Sequence, residues 1–174
     1  MEKQILGAAI LATALGISGI TPAFAADLEE FKSIANKTIK TVKKGKVRDV
    51  DGLIEQQKAL IRIGIEAALE FAEKSPTDAK MMHLVVLNSN KMQQLSLEDI
   101  EKEWHAGGYL RAHGIDIDKF TQGDVQTNYY DLIVHPATAL IALKQYKESP
   151  SPELLTQVEN ELTEVVNHAG SIKQ

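Results

Sequence analysis

The chain has 174 residues and no cysteine. That excludes disulfides, thiol catalysis, thiolate metal ligands, a lipoprotein cysteine and covalently attached c-type haem. Aromatic residues make up only 5% of the chain and include a single tryptophan. Positive charge is not in excess. Nineteen Lys and Arg face twenty-four Asp and Glu, a net charge of −5, which argues against a nucleic-acid partner.

Several chemical signatures are also missing. No Gly-x-Ser-x-Gly elbow occurs, and no phosphate-binding glycine loop. Asp116, Asp118 and Asp124 lack the spacing and the glycine of a calcium loop. Neither His-Glu-x-x-His nor Glu-x-x-His is found, so the common zinc-protease and di-iron patterns are absent.

Residues 1–25 read as a cleaved signal peptide. Lys3 precedes an apolar run from Ile5 to Ile20, and Ala23 and Ala25 form a small-x-small cleavage signal. The run falls short of the roughly 20 residues of a membrane-spanning helix and has no basic stop-transfer flank. The expected mature chain, 26–174, is one domain. It is expected in the periplasm, or secreted outright from a source with no outer membrane, with no stable membrane span after cleavage.

What is there is helical periodicity. Leu28, Phe31, Ile34, Ala35, Thr38 and Val42 mark a helix over 27–44, ended by Gly45. A second helix is expected over 50–74, with Leu53, Ile54, Leu60, Ile61, Gly64, Ile65 and Ala68 on its apolar face. Gly64 within that face is expected to admit close contact with a neighbouring helix. Ser75-Pro76 opens a third helix to about Leu95, with Asn88 as a packing residue in its seam. Ser96 caps a short helix to about His105. A long loop follows over 106–126, with at most one helical turn. Further helices are expected from 127–128 to Lys147 and from Ser151 to near the end. The fold class is all-α: an antiparallel bundle of four principal helices, a short helix and one long loop.

Candidate site residues cluster in Glu101-Lys-Glu-Trp-His-Ala-Gly-Gly-Tyr-Leu-Arg-Ala-His113. The plain reading is a helix end stopped by glycines, with His105 in its last turn. The sharper reading is a pocket where the Trp104–Gly114 segment closes over one end of the bundle. Trp104, His105, His113 and His135 would line it. Glu101 and His105, four apart on one helix face, together with His135, would bind a metal. Asp131/His135 and Glu164/His168 repeat that spacing, so the pattern alone is cheap. His135 precedes Pro136, which either kinks a continuous helix or starts a new one. Because proline lacks an N–H, a continuous helix would leave the carbonyl of Leu132 in need of a partner. His83 is expected to be exposed, and His168 to lie without a role near a frayed terminus.

These observations support a binding or accessory module whose cofactor is a divalent metal ion ahead of a non-covalent haem. Its partner would be a small ligand or an unidentified protein. A structural or partner-binding protein with no ligand site stands beside that reading. There the acid-free basic face Lys32–Arg48 would meet an anionic surface or simply be solvated. A metal-dependent enzyme, with Glu101 or Asp131 as general base, comes third.

Overall fold

The structure, a computed structural model, describes residues 22–120 and 124–172. The expected leader falls almost wholly outside the described residues. Helix α1 is described from Pro22 to Val42, so helical backbone crosses the expected cut after Ala25. The other elements are α2 (Val50–Lys74), α3 (Ala79–Met92), α4 (Leu97–Ile100), a π turn (Glu101–His105), α5 (Gly108–Ala112), a 3-10 turn (Ile117–Lys119), α6 (Val125–Glu148) and α7 (Pro152–Ser171). No strand occurs among the described residues, and no described helix is long and apolar enough to cross a membrane.

Helix starts follow from side chains that accept the otherwise unpaired first N–H groups. Asp49 Oδ1 accepts from Gly52 N at 2.8 Å, Ser96 Oγ from Asp99 N at 3.0 Å, and Ser151 Oγ from Leu154 N at 3.3 Å. The third helix departs from expectation. It begins at Ala79, because Ser75 is still bonded back to Phe71 O as the cap of α2. The reversal therefore occupies 76–78. Helix α6 starts at Val125, slightly ahead of the expected 127–128.

Five helices have fourteen residues or more, at the five long segments the periodicity marks, so the count of four principal helices is one short. Four of them close a ring in which α1 packs on α2, α2 on α6, α6 on α7 and α7 on α1, while α3 fills the groove beside α2 and α6. Neighbours in the ring run antiparallel. Phe71 stacks on Tyr129 while Lys147 pairs with Asp51, and His168 meets Asn128 while Glu161 meets His135. Helix α6 is the core of the assembly. Residues Leu132 to Leu143 are all buried, so no face of the helix is left for solvent.

Helices α3 and α6 run in the same direction, and the chain must come back along the bundle to join them. The segment 93–124 is that return path. It runs down α3 through Tyr109 Oη to Asn88 Oδ1 (3.1 Å) and Lys80 Nζ to the His113 carbonyl (2.7 Å). The long loop therefore carries α5 and a 3-10 turn of its own. Gly107 sits in it at φ +71, where a Cβ would lie 2.1 Å from Ile117 Cδ1.

Helix α6 is continuous through Pro136. Proline gives no N–H to the carbonyl of Leu132, and that carbonyl faces Gly64 of α2. A Cβ on Gly64 would stand 2.4 Å from Leu132 O. The two sequence oddities are thus one joint, in which a carbonyl freed by proline lies against a helix face bared by glycine.

A candidate metal centre between α6 and α7

Two polar stripes at helical spacing face each other across the α6–α7 seam. Asn128, Asp131, His135 and Thr138 step by three, four and three along α6; Gln157, Glu161, Glu164 and His168 step by four, three and four along α7. In the antiparallel pair they meet at the buried centre. His135 is 5% exposed and Glu161 7%.

An ionised Glu161 and the amide oxygen of Asn128 assign the tautomers. Gln157 Nε2 donates to Glu161 Oε1 at 2.6 Å, and Glu161 Oε2 accepts from His135 Nδ1 at 2.7 Å. Asn128 Oδ1, which can only accept, takes the Nδ1 proton of His168 at 2.9 Å. Both histidines therefore present bare Nε2 lone pairs, and both face Asp131. His135 Nε2 is 3.9 Å from Asp131 Oδ1 and 4.0 Å from Glu164 Oε2, while His168 Nε2 is 3.4 Å from Asp131 Oδ2. Their rings stack, with centroids 5.4 Å apart.

Asp131, His135 and His168 each offer one ligand atom, all within 4.8 Å of one another. Ligands about 2.0–2.1 Å from a tetrahedral ion sit roughly 3.3 Å apart. The separations here run from 3.4 Å to at most 4.8 Å, so binding would draw the side chains together by up to about 1.5 Å. Glu161 and Asn128 then hold the outer imidazole nitrogens, the arrangement that orients metal-bound histidines.

A second set, His105, His135 and Glu161, is equally compact. There the protons are in the way. Thr138 Oγ1 gives its own hydrogen to Val134 O, so it accepts from His105 Nε2–H at 2.9 Å. Glu161 takes the Nδ1 proton of His135. This half is a satisfied hydrogen-bond network.

Burial holds these groups toward their neutral forms. Burial first, then Glu164 and Glu161, raises the Asp131 carboxyl to about 8. Burial lifts Glu161 to about 7 and lowers His135 to about 4; it also lowers His105 and His168. Among the described residues no Lys or Arg pairs with Asp131, Glu161 or Glu164.

His105 and His135 do come together, with ring centroids 5.1 Å apart. Glu101 contributes no atom to either compact set and lies exposed, acting on His105 and Glu161 only through its charge. His113 lies outside the cluster and is exposed, bonded through Nδ1 to Tyr109 O and stacked on the Tyr109 ring. His83 is exposed. Trp104 is buried against Tyr109, and its carbonyl accepts from Tyr130 Oη at 2.8 Å. Glu161, which sequence reasoning did not single out, and His168, which it placed without a role near a frayed terminus, both belong to the cluster.

A cavity of about 190 Å3 adjoins the cluster, lined by Trp104, His105 and Asp131 among others. It is smaller than the roughly 300 Å3 at which pockets begin to enclose drug-sized ligands. A haem does not fit it as it stands. No protein family, curated protein or solved structure matches the chain.

Proposed function

We infer that this chain is an exported helical-bundle protein that binds one divalent transition-metal ion through Asp131, His135 and His168. The observation that carries the reading is the pair of bare Nε2 atoms. Each imidazole has its Nδ1 proton fastened to an acceptor, and each turns its lone pair toward the same carboxylate. Acceptors facing acceptors in a buried seam repel one another unless a proton or a cation lies between them. Two imidazole nitrogens and a carboxylate oxygen suit Zn2+, Co2+ or Fe2+ over Ca2+ or Mg2+. Export is supported by the charge, apolar run and small-residue pattern of residues 1–25.

The test is metal uptake by mature protein purified without a tag and stripped by chelator. One Zn2+ or Co2+ per chain at micromolar concentration is expected. Uptake should vanish in His168→Gln and Asp131→Asn and persist in His113→Ala. A stripped, folded protein that takes up neither ion would overturn the reading.

A further inference from the structure

We propose that Glu164 is the fourth ligand of the ion, so that the protein's own side chains close the site and the metal clasps α7 to α6 with no position open to a substrate. This rests on the metal site proposed above.

The argument begins with position. Asp131 and His135 come from α6, and Glu164 and His168 lie one turn apart on the face of α7 that meets them. Glu164 Oε2 stands 4.0 Å from His135 Nε2, nearly the 3.9 Å at which Asp131 Oδ1 faces the same nitrogen. Neighbouring ligands of a tetrahedral ion are roughly 3.3 Å apart. The Glu164 side chain is 60% exposed, and among the described residues no Lys or Arg pairs with it. Its carboxylate can therefore turn inward by rotation of its own bonds.

Charge selects between Glu164 and a ligand from solution. Asp131 and Glu164 flank Nε2 of His135, and Glu161 sits at its Nδ1. Three ionised carboxylates against a divalent ion leave one negative charge in excess. Glu161 stays outside the coordination sphere, where N–H groups of His135 and Gln157 hold its charge. An anion from solution would raise the excess to two beside a buried seam, at a cost in desolvation and repulsion. Glu164 adds no charge that is not already there. Water, the neutral competitor, lacks the charge with which Glu164 meets the cation.

The adjoining cavity does not supply the fourth ligand. Asp131 lines it, but His135, His168 and Glu164 do not. Glu164 is the one ligand of the four that is fully exposed, so an ion arriving from water meets it first. A site with four protein ligands is the arrangement of structural metal centres, whereas catalytic ones keep a position open.

The experiment uses the mature chain loaded with Co2+, whose visible spectrum reports on coordination. Azide is titrated into the parent and into Glu164→Ala. The parent spectrum is expected to stay unchanged. Glu164→Ala should still bind Co2+, more weakly, and azide should shift its spectrum, because solvent then occupies the vacated position. A measurement needing no variant is the NMR shift of the Glu164 side-chain carboxyl on addition of Zn2+. It should move, while that of Glu153, exposed on the same helix, stays in place.

Failure of the parent to take up Co2+ sinks the metal site and the role of Glu164 together. Uptake with an azide shift in the parent as large as in Glu164→Ala leaves the metal site standing and overturns the fourth ligand. A Glu164 carboxyl that ignores Zn2+, or azide without effect on either protein, overturns it too, because another group then fills the position.

Discussion

Each ring nitrogen of His135 faces carboxylate oxygen, Nδ1 at 2.7 Å from Glu161 and Nε2 at 3.9 Å from Asp131. The short contact is a hydrogen bond, and the long one is a gap. Substitutions on the two sides should therefore differ in kind. Asp131→Asn and His168→Gln remove ligands, and calorimetry should detect no zinc binding. Glu161→Gln keeps an acceptor for the Nδ1 proton but loses the charge that makes the imidazole a better donor. Its affinity should fall by about 10- to 100-fold without vanishing. An affinity for Glu161→Gln equal to that of the parent would mean that Glu161 does not act through His135.

Part of this was legible at the residue scale. The Asp131/His135 spacing and the place of His135 before Pro136 both drew notice in the sequence. Glu161 did not, and His168 was noticed only beside Glu164 and given no role, because i,i+4 reasoning stays within one helix and these residues meet α6 across a seam. A signal was nevertheless present. Val158, Leu162, Val165 and Ala169 are buried core, and Glu161 and His168 fall between them on the same face of α7. Ionisable groups at core positions rarely go unpartnered. Glu101 drew attention through its distance from His105, but a π turn alters the relation of residues four apart, and Glu101 ends exposed.

Among the elements, α2 and α7 were the most legible, since a clean apolar stripe and a cap at the start leave little choice. The start of α3 was less so. Ser75-Pro76 reads locally as a cap and first turn, but the chain must reverse there to lay α3 against α2. The tightest restraint is the joint between Gly64 and Leu132. Gly64→Ala would gain helix propensity of about 1 kcal/mol in isolation. In the assembled protein the added methyl meets a backbone carbonyl at 2.4 Å, and a carbonyl within a buried helix has nowhere to retreat. The steric effect should win, with a net loss of about 1–3 kcal/mol in urea denaturation. A variant more stable than the parent would show that the helices separate without cost.

For the whole molecule, the buried carboxyls set the response to pH. Burial lets folded Asp131 keep its proton to about 8, against 3.8 for the free side chain. Between pH 7 and 8 the folded chain therefore binds more protons than the unfolded chain, while the histidines, lowered in the folded state, are mostly neutral in both. Metal-free protein should lose stability as pH rises through this window, by up to about 1.4 kcal/mol per unit. Below pH 6.5 the histidines act in the opposite sense, because the unfolded chain protonates them first. Bound metal holds Asp131 ionised, so the decline between pH 7 and 8 should disappear when Zn2+ is present. Thermal melts with and without chelator check this, and identical profiles would contradict it. At a hundredfold excess over its dissociation constant, the ion should add about 2.7 kcal/mol of stability.

The return path from α3 to α6 leaves the three proposed metal ligands, Asp131, His135 and His168, in the hairpin α6–α7, while the earlier helices and the connector line the neighbouring cavity. A ribosome makes the chain from the amino end, so the ligands are the last part to appear. The nascent protein passes most of its synthesis without the proposed ligand set. Once α7 is complete, the donors arrive together, joined by a three-residue turn between Glu148 and Pro152. On the proposed site, loading would be tied to completion of the polypeptide, and a fragment truncated before His168 is expected to take up no Zn2+ at that site.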